Sequence, residues 1–120
     1  MKRIFYLLLL IYPVCTQAQT GIFKYDVSPS VTGSYPQYLT VFGNRLFFYA
    51  NNGTNIGWEP FIMDSAKAPA LIQNLNTTPG ADAIPPSYFV SPACTHDGKL
   101  YFNGNNGAAG AEIYAWDGTS

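Results

Sequence analysis

The chain of 120 residues has few charged side chains and few residues that support metal or redox chemistry. Charged residues make up 11% of the sequence, and the formal net charge is −1. No basic stripe is present that would neutralise phosphates, so we expect no nucleic-acid partner. Histidine occurs once and cysteine twice. Aromatic residues (16%), glycine (11 residues) and proline (9 residues) are plentiful instead, which is typical of turn-rich β structure.

The beginning of the chain has the pattern of a secretory signal peptide. Two basic residues precede an apolar run at 4–12, and Thr16 and Ala18 occupy the two positions that a signal peptidase recognises. The apolar run is shorter than the roughly 20 residues that a helix needs to cross a bilayer. The pattern predicts a signal peptide at 1–18, cut between Ala18 and Gln19, and a secreted or cell-surface protein without a transmembrane segment after cleavage.

Cys15 offers an alternative, because a lipoprotein signal ends at a cysteine that becomes acylated and anchors the mature protein. Val14 stands immediately before it, where a small residue is expected, so cleavage after Ala18 is favoured. The mature region 19–120 then contains Cys94 as its single cysteine and forms no disulfide within itself. Its stability must come from packing or from other subunits.

The mature region contains an internal repeat. Residues 44–53 recur as 98–107, at an offset of 54. A pattern of glycine, glutamate, aromatic residue and aspartate follows in both copies at an offset of 53: Gly57, Glu59, Phe61 and Asp64 recur as Gly110, Glu112, Tyr114 and Asp117. Residues 23–28 match 71–76 more weakly, at an offset of 48. A period near 50 residues with several short strands indicates propeller-type blades.

Each unit is predicted to contain four strands. In the first unit these are apolar and β-branched segments, at 38–42, 45–50, 58–63 and 70–75. The dipeptides Gly43-Asn44 and Asp97-Gly98 suit two-residue hairpin turns. Gly53 and Gly107 end Asn-Asn-Gly loops, where we expect positive φ.

The predicted fold is therefore all-β, with antiparallel four-stranded repeat units in a propeller-like, incomplete array of about two blades. The first unit spans about 34–76, and the second, about 88–120, stops before its fourth strand. Residues 22–28 are interpreted as a strand of a preceding or closing blade. The mature region shows no helical periodicity.

Residues 111–119, with the sequence Ala-Glu-Ile-Tyr-Ala-Trp-Asp-Gly-Thr, follow Lys-Leu-Tyr-Phe and an Asn/Gly loop. This arrangement resembles the ELWxxDGT repeat of large secreted bacterial proteins. The second copy departs from that repeat at Ile113 and Tyr114, and the first is more degenerate, with Ser65-Ala66 in place of Gly-Thr. The resemblance implies a propeller-like β array in an exported or surface protein, often in organisms that use type IX secretion. It implies no defined catalytic activity.

The acidic residues that recur in both units are Glu59 with Glu112 and Asp64 with Asp117. A carboxylate that accepts backbone N–H bonds is needed once per repeat, whereas an active site is needed once per protein, so a structural role is predicted for these four. In the alternative, oxygens of the two Asn-Asn-Gly loops hold calcium together with Glu59 or Glu112. Those loops lack the dense carboxylates of calcium sites, and we expect no cofactor.

Cys94 and His96 occupy positions i and i+2 of one predicted strand and so share a face. A nucleophile pair is one interpretation. The simpler one places His96 at the surface beside the Asp97-Gly98 turn and packs Cys94 as a small apolar residue. No catalytic residue is assigned.

Aromatic residues on the predicted strands are expected to pack in the core, and those that do not would form a stacking surface for glycans or a groove for protein partners. Two functions remain open. The first is an exported non-enzymatic module for surface display, adhesion or recognition of proteins or glycans, assembled with further repeats or by self-association. The alternative is an accessory propeller domain of a larger secreted enzyme such as a hydrolase.

Overall fold

A computed structural model of the chain describes residues 21–30, 33–84 and 93–119. The predicted signal peptide and its cleavage site at Ala18 and Gln19 lie outside these residues. The described residues form strands and no helix, which confirms the all-β prediction. Within them, no helix is long and apolar enough to cross a membrane. The seven strands are β1 (Gln37–Phe42), β2 (Arg45–Asn51), β3 (Trp58–Asp64), β4 (Ala70–Leu71), β5 (Cys94–His96), β6 (Lys99–Asn105) and β7 (Ala111–Trp116).

The strands form two antiparallel sheets that do not close on themselves. The first has the order β1-β2-β3-β4 and the second β5-β6-β7. Phe42 pairs with Arg45, and His96 pairs with Lys99, so each first hairpin is joined by the predicted two-residue turn. Asp97 and Gly98 have φ of 46° and 72°, as a tight hairpin turn with two left-handed residues requires.

β4 is shorter than the predicted strand at 70–75, and Pro60 explains why. Ile72 donates its N–H to the Pro60 carbonyl (2.9 Å), so the backbone of Pro60 faces this strand. Proline has no N–H to return the second bond of that pair, and the ladder is interrupted. Beyond this point Leu75 turns its N–H to the side chain of Glu59 (2.8 Å).

Alternation along β2 gives the first sheet two apolar faces. Phe47 and Tyr49 enter the main core, whereas Phe48 and Ala50 lie with Phe61 on the opposite face. The main core fills the space between the sheets with Phe42, Phe47, Tyr49, Leu75, Ala83, Ala93, Leu100 and Phe102, and the partly buried Trp58, Tyr114 and Trp116 pack against it. Most of the strand aromatics are thus core residues, as predicted.

The two sheets stack head to tail. Phe102 of the second sheet corresponds to Phe48 of the first by the offset of 54, yet it packs against Phe47, on the other face of the first sheet (ring centroids 5.0 Å apart). The Tyr49 hydroxyl crosses the interface and donates to the Asn103 carbonyl. The two sheets therefore contact each other through non-equivalent faces. Such an interface is heterologous, as in the head-to-tail contact of two subunits.

Arg45 joins the two sheets at their turn end. Its Nη1 donates to the Gly118 carbonyl (3.0 Å), and its guanidinium lies 4.9 Å from the Trp116 ring centroid and 5.3 Å from that of Phe42. The two rings are themselves 5.6 Å apart. A planar cation between aromatic rings and a carbonyl combines cation–π attraction with a charge-assisted hydrogen bond.

Residues 21–30 contain no strand, although 22–28 are interpreted from the sequence as one. A strand needs a partner edge, and this segment packs on the first sheet through its second half instead. Val27 contacts the cluster of Phe48, Ala50 and Phe61. The first half is exposed, with Ile22 104% and Phe23 59% accessible.

Candidate functional site

The recurring glutamates differ in their surroundings. Glu59 is fully buried; its Oε2 accepts the Leu75 N–H (2.8 Å), and the Asn74 amide, with its nitrogen towards Glu59, donates to Oε1 (3.1 Å). Burial raises the pKa of Glu59 to about 7, and the nearby charge of Asp82 adds to this, while backbone hydrogen bonds oppose it. Glu112 is exposed. The buried structural role predicted for both glutamates is therefore seen at Glu59 alone.

The recurring aspartates both cap turns. Asp64 Oδ1 accepts the N–H of Ala66 (2.8 Å), and Asp117 Oδ1 accepts the N–H (2.9 Å) and the hydroxyl (2.6 Å) of Thr119. The hydrogen bonds from Thr119 lower the pKa of Asp117. Each carboxylate is thus engaged with a backbone N–H two residues ahead, which is a structural use.

The two Asn-Asn-Gly loops have the same internal hydrogen bonds. Asn51 Oδ1 accepts the Gly53 N–H, and Asn105 Oδ1 accepts the Gly107 N–H (both 2.8 Å). The glycines have φ of 74° and 80°, as expected from the sequence. The amide oxygens considered as calcium ligands therefore serve their own loops. Among the described residues, no group of three or more His, Cys, Asp or Glu side chains is placed to hold a metal ion.

Cys94 is exposed, so its predicted packing as a small apolar residue is wrong. The reason is its place on β5, an edge strand of three residues that are all exposed. His96 lies at the surface beside the turn, as interpreted from the sequence, with Nε2 3.4 Å from Asp97 Oδ2.

A cleft of about 540 Å³ opens at the end of the first sheet that carries the Asn-Asn-Gly loop. Tyr35 and Trp58 form its aromatic wall, with ring centroids 6.4 Å apart and planes inclined by 32°. Asn51 and Asn55 contribute polar groups, and the remaining lining is glycine: Gly33, Gly53, Gly57 and Gly80. Large rings beside amide groups and little other side-chain bulk make an open site for a flat, hydroxyl-rich molecule.

The connector after β4 holds this cleft in place. Trp58, the first residue of β3, donates its N–H to Asp82 Oδ1 (2.9 Å) and accepts the Ala83 N–H at its carbonyl (2.8 Å). The Asn55 carbonyl accepts the Gly80 N–H (2.7 Å). The connector therefore holds Trp58 through both its N–H and its carbonyl, which fixes one half of the aromatic wall.

Two side chains of the cleft sit on a strained backbone. Tyr35 has φ of 45° and Asn55 has φ of 64°, in the left-handed region that non-glycine residues rarely adopt. Tyr35 is also 65% exposed. Such strain persists where the surrounding structure requires it, and it is concentrated at binding sites.

In the second unit Ala111 occupies the position of Trp58 at the offset of 53, so the tryptophan of the cleft is not repeated. Trp58 begins the strand predicted at 58–63, but its partner Tyr35 was not predicted from the sequence. The available signal was the contrast between Trp58 and Ala111.

Comparison with known proteins adds no relative: no family model matches the chain, and neither a curated protein nor a solved structure matches it.

Proposed function

We propose that this chain is an exported, non-enzymatic recognition module built from propeller-like β-repeat units of the ELWxxDGT type. In this proposal it works at the cell surface or outside the cell and binds glycans in the cleft of Tyr35 and Trp58. Further repeat units or other copies of the chain complete its β array. The observation that carries the proposal is the aromatic cleft itself, whose tryptophan is not repeated in the second unit.

A sugar ring is the ligand that the cleft fits best. Aromatic faces stack on the C–H faces of sugars, and amide groups such as those of Asn51 and Asn55 donate to and accept from hydroxyls. No basic residue lines the cleft among those described, so neutral glycans are favoured over anionic ones. A volume near 540 Å³ lies in the range of small-ligand sites.

The carboxylates favour recognition over hydrolysis. Glycoside hydrolysis needs two carboxyl groups facing one bond. Glu59 is buried against Leu75, and Asp64 and Asp117 cap turns. None of these three lines the cleft.

Binding is tested with a panel of neutral oligosaccharides and isothermal titration calorimetry on the secreted chain. Tyr35→Ala should weaken binding about five- to thirtyfold, because it removes an exposed stacking face of about 1–2 kcal/mol. Tyr101→Ala, which removes a tyrosine outside the cleft, serves as the matched control and should bind like the parent. Retention of full affinity by Tyr35→Ala, or an equal loss in both variants, would contradict the proposed site.

A further inference from the structure

We propose that residues 22–27 of one copy add to β7 of a second copy as a fourth strand of that sheet, with Glu112 accepting the N–H of Val27. This proposal rests on the head-to-tail stacking of repeat units described above and extends the self-association in the proposed function. It assigns an acceptor edge, a donor segment and a register, each taken from a contact that the chain already makes within its first sheet.

The internal template is the contact between β3 and β4. Phe61 pairs with Leu71, and Ile62 pairs with Ala70. The Ile72 N–H then bonds to the Pro60 carbonyl (2.9 Å). Three residues farther on, Leu75 donates its N–H to Glu59 Oε2 (2.8 Å).

The acceptor is the outer edge of β7, the last strand of the second sheet in the order β5-β6-β7. Among the described residues, no strand pairs with that edge. The offset of 53 places Ile113, Tyr114 and Ala115 at the positions of Pro60, Phe61 and Ile62. Ile113 is 76% exposed, and Glu112, the counterpart of Glu59, is exposed as well. The β3–β4 ladder stops at Pro60, which has no N–H to donate to the opposite strand. Ile113, at the same position in β7, has this N–H, so β7 can form both hydrogen bonds with the residue opposite it.

The donor segment corresponds to β4 and the residues after it at the offset of 48. Its far end already repeats the internal arrangement: Val27 packs against the cluster that contains Ala50, while Leu75 lies beside Gly104, the counterpart of Ala50. Ser28 Oγ lies 2.8 Å from the position of a Cβ on Gly53, the loop glycine of the unit that follows it, and Asn76 Oδ1 lies at the same distance from that position on Gly107. The near end, Ile22 and Phe23, is exposed and apolar.

A second copy must supply the segment. Val27 packs on one face of the first sheet, and the second sheet packs on the opposite face. A chain that keeps Val27 and Ser28 in place therefore cannot reach its own β7 across the main core. Donation to another copy is heterologous and generates a ring or an open chain of copies.

One residue of the donor departs from the template. Asp26 stands where Asn74 donates to Glu59, so the added strand would bring a second carboxylate near Glu112. Lys24, whose Nζ lies 3.0 Å from Asp26 Oδ2, offsets part of that repulsion. Asp26→Asn restores the donor and should strengthen the association, which is an outcome that general stickiness would not produce.

The association is measured by sedimentation equilibrium of the secreted chain over a range of concentrations. Lys24→Pro removes the N–H that would bond to the Ile113 carbonyl and should raise the dissociation constant at least about tenfold. Lys24→Ala keeps the N–H and controls for the side chain. Residues 24, 26 and 112 are exposed, so unchanged circular dichroism is expected in each variant.

The register is tested by cross-linking in a Cys94→Ser background. Ile22→Cys with Ala115→Cys places two cysteines in the predicted pair, at a Cα separation near 5.5 Å that suits a disulfide. Disulfide-linked dimers and larger species are expected on a non-reducing gel, and Ile22→Cys with Ile113→Cys, two residues out of register, should give few.

A monomer at all concentrations, equal effects of Lys24→Pro and Lys24→Ala, or cross-links confined to one chain would overturn the proposal. Tyr35→Ala should associate normally, so loss of glycan binding and loss of assembly are separate results.

Discussion

At Gly53 and Gly107 neighbouring side chains occupy the space that a Cβ would need. A Cβ on Gly53 would lie 2.7 Å from Ser30 Oγ, and one on Gly107 would lie 2.8 Å from Asn76 Oδ1. Both glycines also have positive φ. Replacement of either with valine should lower the free energy of unfolding by about 1 kcal/mol or more, because a β-branched residue is strained in this conformation.

Chemical denaturation followed by circular dichroism measures this effect. Lys99→Ala, at an exposed position, is the control and should be nearly neutral. Equal effects from all three substitutions would show that the loop glycines are not special.

Glu59 predicts a pH dependence of stability. Its pKa rises from 4.5 to about 7 in the folded state, chiefly through burial. Between these values the folded chain holds a proton that the unfolded chain has lost, so the contribution of Glu59 to stability is highest below about pH 4.5 and falls as the pH rises to about 7. The fall amounts to at most about 3 kcal/mol.

Glu59→Gln keeps an acceptor for the Leu75 N–H and removes the titration, so its stability should change less between pH 5 and pH 8 than that of the parent. Glu112→Gln, on the exposed counterpart, should leave the slope unchanged. The two variants are compared by urea denaturation at each pH. A parent slope retained in Glu59→Gln would mean that another group titrates.

Sequence identity predicts the aspartate turns and the glycine loops because their hydrogen bonds join residues two apart, and the repeat preserves that spacing. It does not predict the environment of Glu112 or Cys94. Those depend on what lies across space: Leu75 and Asn74 cover Glu59, and β5 is an edge strand with all three residues exposed. A residue that recurs in both units therefore makes the same contact only where the same neighbouring element packs against it.

Among the elements, the hairpins were predictable because turn chemistry and alternating apolar residues are both local. The sequence did not predict which face of the first sheet packs against the second sheet. Phe47 and Phe48 are equally apolar, and alternation places them on opposite faces without indicating which face forms the contact. The short β4 follows from Pro60, whose missing N–H stops a ladder that hydropathy alone would continue to residue 75. The Tyr35–Trp58 cleft was not predicted from the sequence, because Tyr35 lies before β1 and contacts Trp58 only in the folded sheet.

Arg45 gives a test of the contact between the two sheets. Arg45→Ala removes the hydrogen bond to the Gly118 carbonyl and the cation between Phe42 and Trp116, and it should destabilise the chain by about 1–2 kcal/mol. Arg45→Lys should recover little of that loss, because an ammonium lacks the planar face that stacks on the rings.

The measurement is urea denaturation followed by tryptophan fluorescence, in which Trp116 responds to the loss of the contact with Arg45. Full recovery in Arg45→Lys would show that charge alone matters at this position. Wild-type stability in Arg45→Ala would show that the contact contributes nothing to the pairing of the sheets.

At the scale of the whole molecule, export is the first prediction. When the full chain is expressed in a bacterium with a working general secretory pathway, the mature protein should begin at Gln19, because Thr16 and Ala18 place small residues at the cleavage positions. Intact mass spectrometry decides this. A retained N-terminus would contradict the prediction, and acylation at Cys15 would establish the lipoprotein alternative.

Assembly is the second prediction at this scale, and it follows from the stacking. The main core between the sheets is built from one face of each sheet, and the opposite face of the first sheet carries the cluster of Phe48, Ala50 and Phe61. The other face of the second sheet carries Ile113, which is 76% exposed, beside the edge of β7. In repeat proteins, the total stability is the sum of the stability of each unit and of each interface between neighbouring units. A chain with a single interface therefore has much less of this stabilisation than a closed propeller.

Residues 19–120 alone should therefore oligomerise, aggregate or melt without cooperativity, as light scattering after size exclusion and a thermal melt followed by circular dichroism would show. Lys24→Pro adds a further step to this prediction: by blocking strand addition, it should shift the chain from defined oligomers towards monomers that melt broadly. A monomeric parent with a sharp two-state transition would mean that these two sheets form a self-sufficient β domain, and the propeller-like interpretation would then be wrong, since a unit that needs no neighbour has no reason to repeat its stacking face.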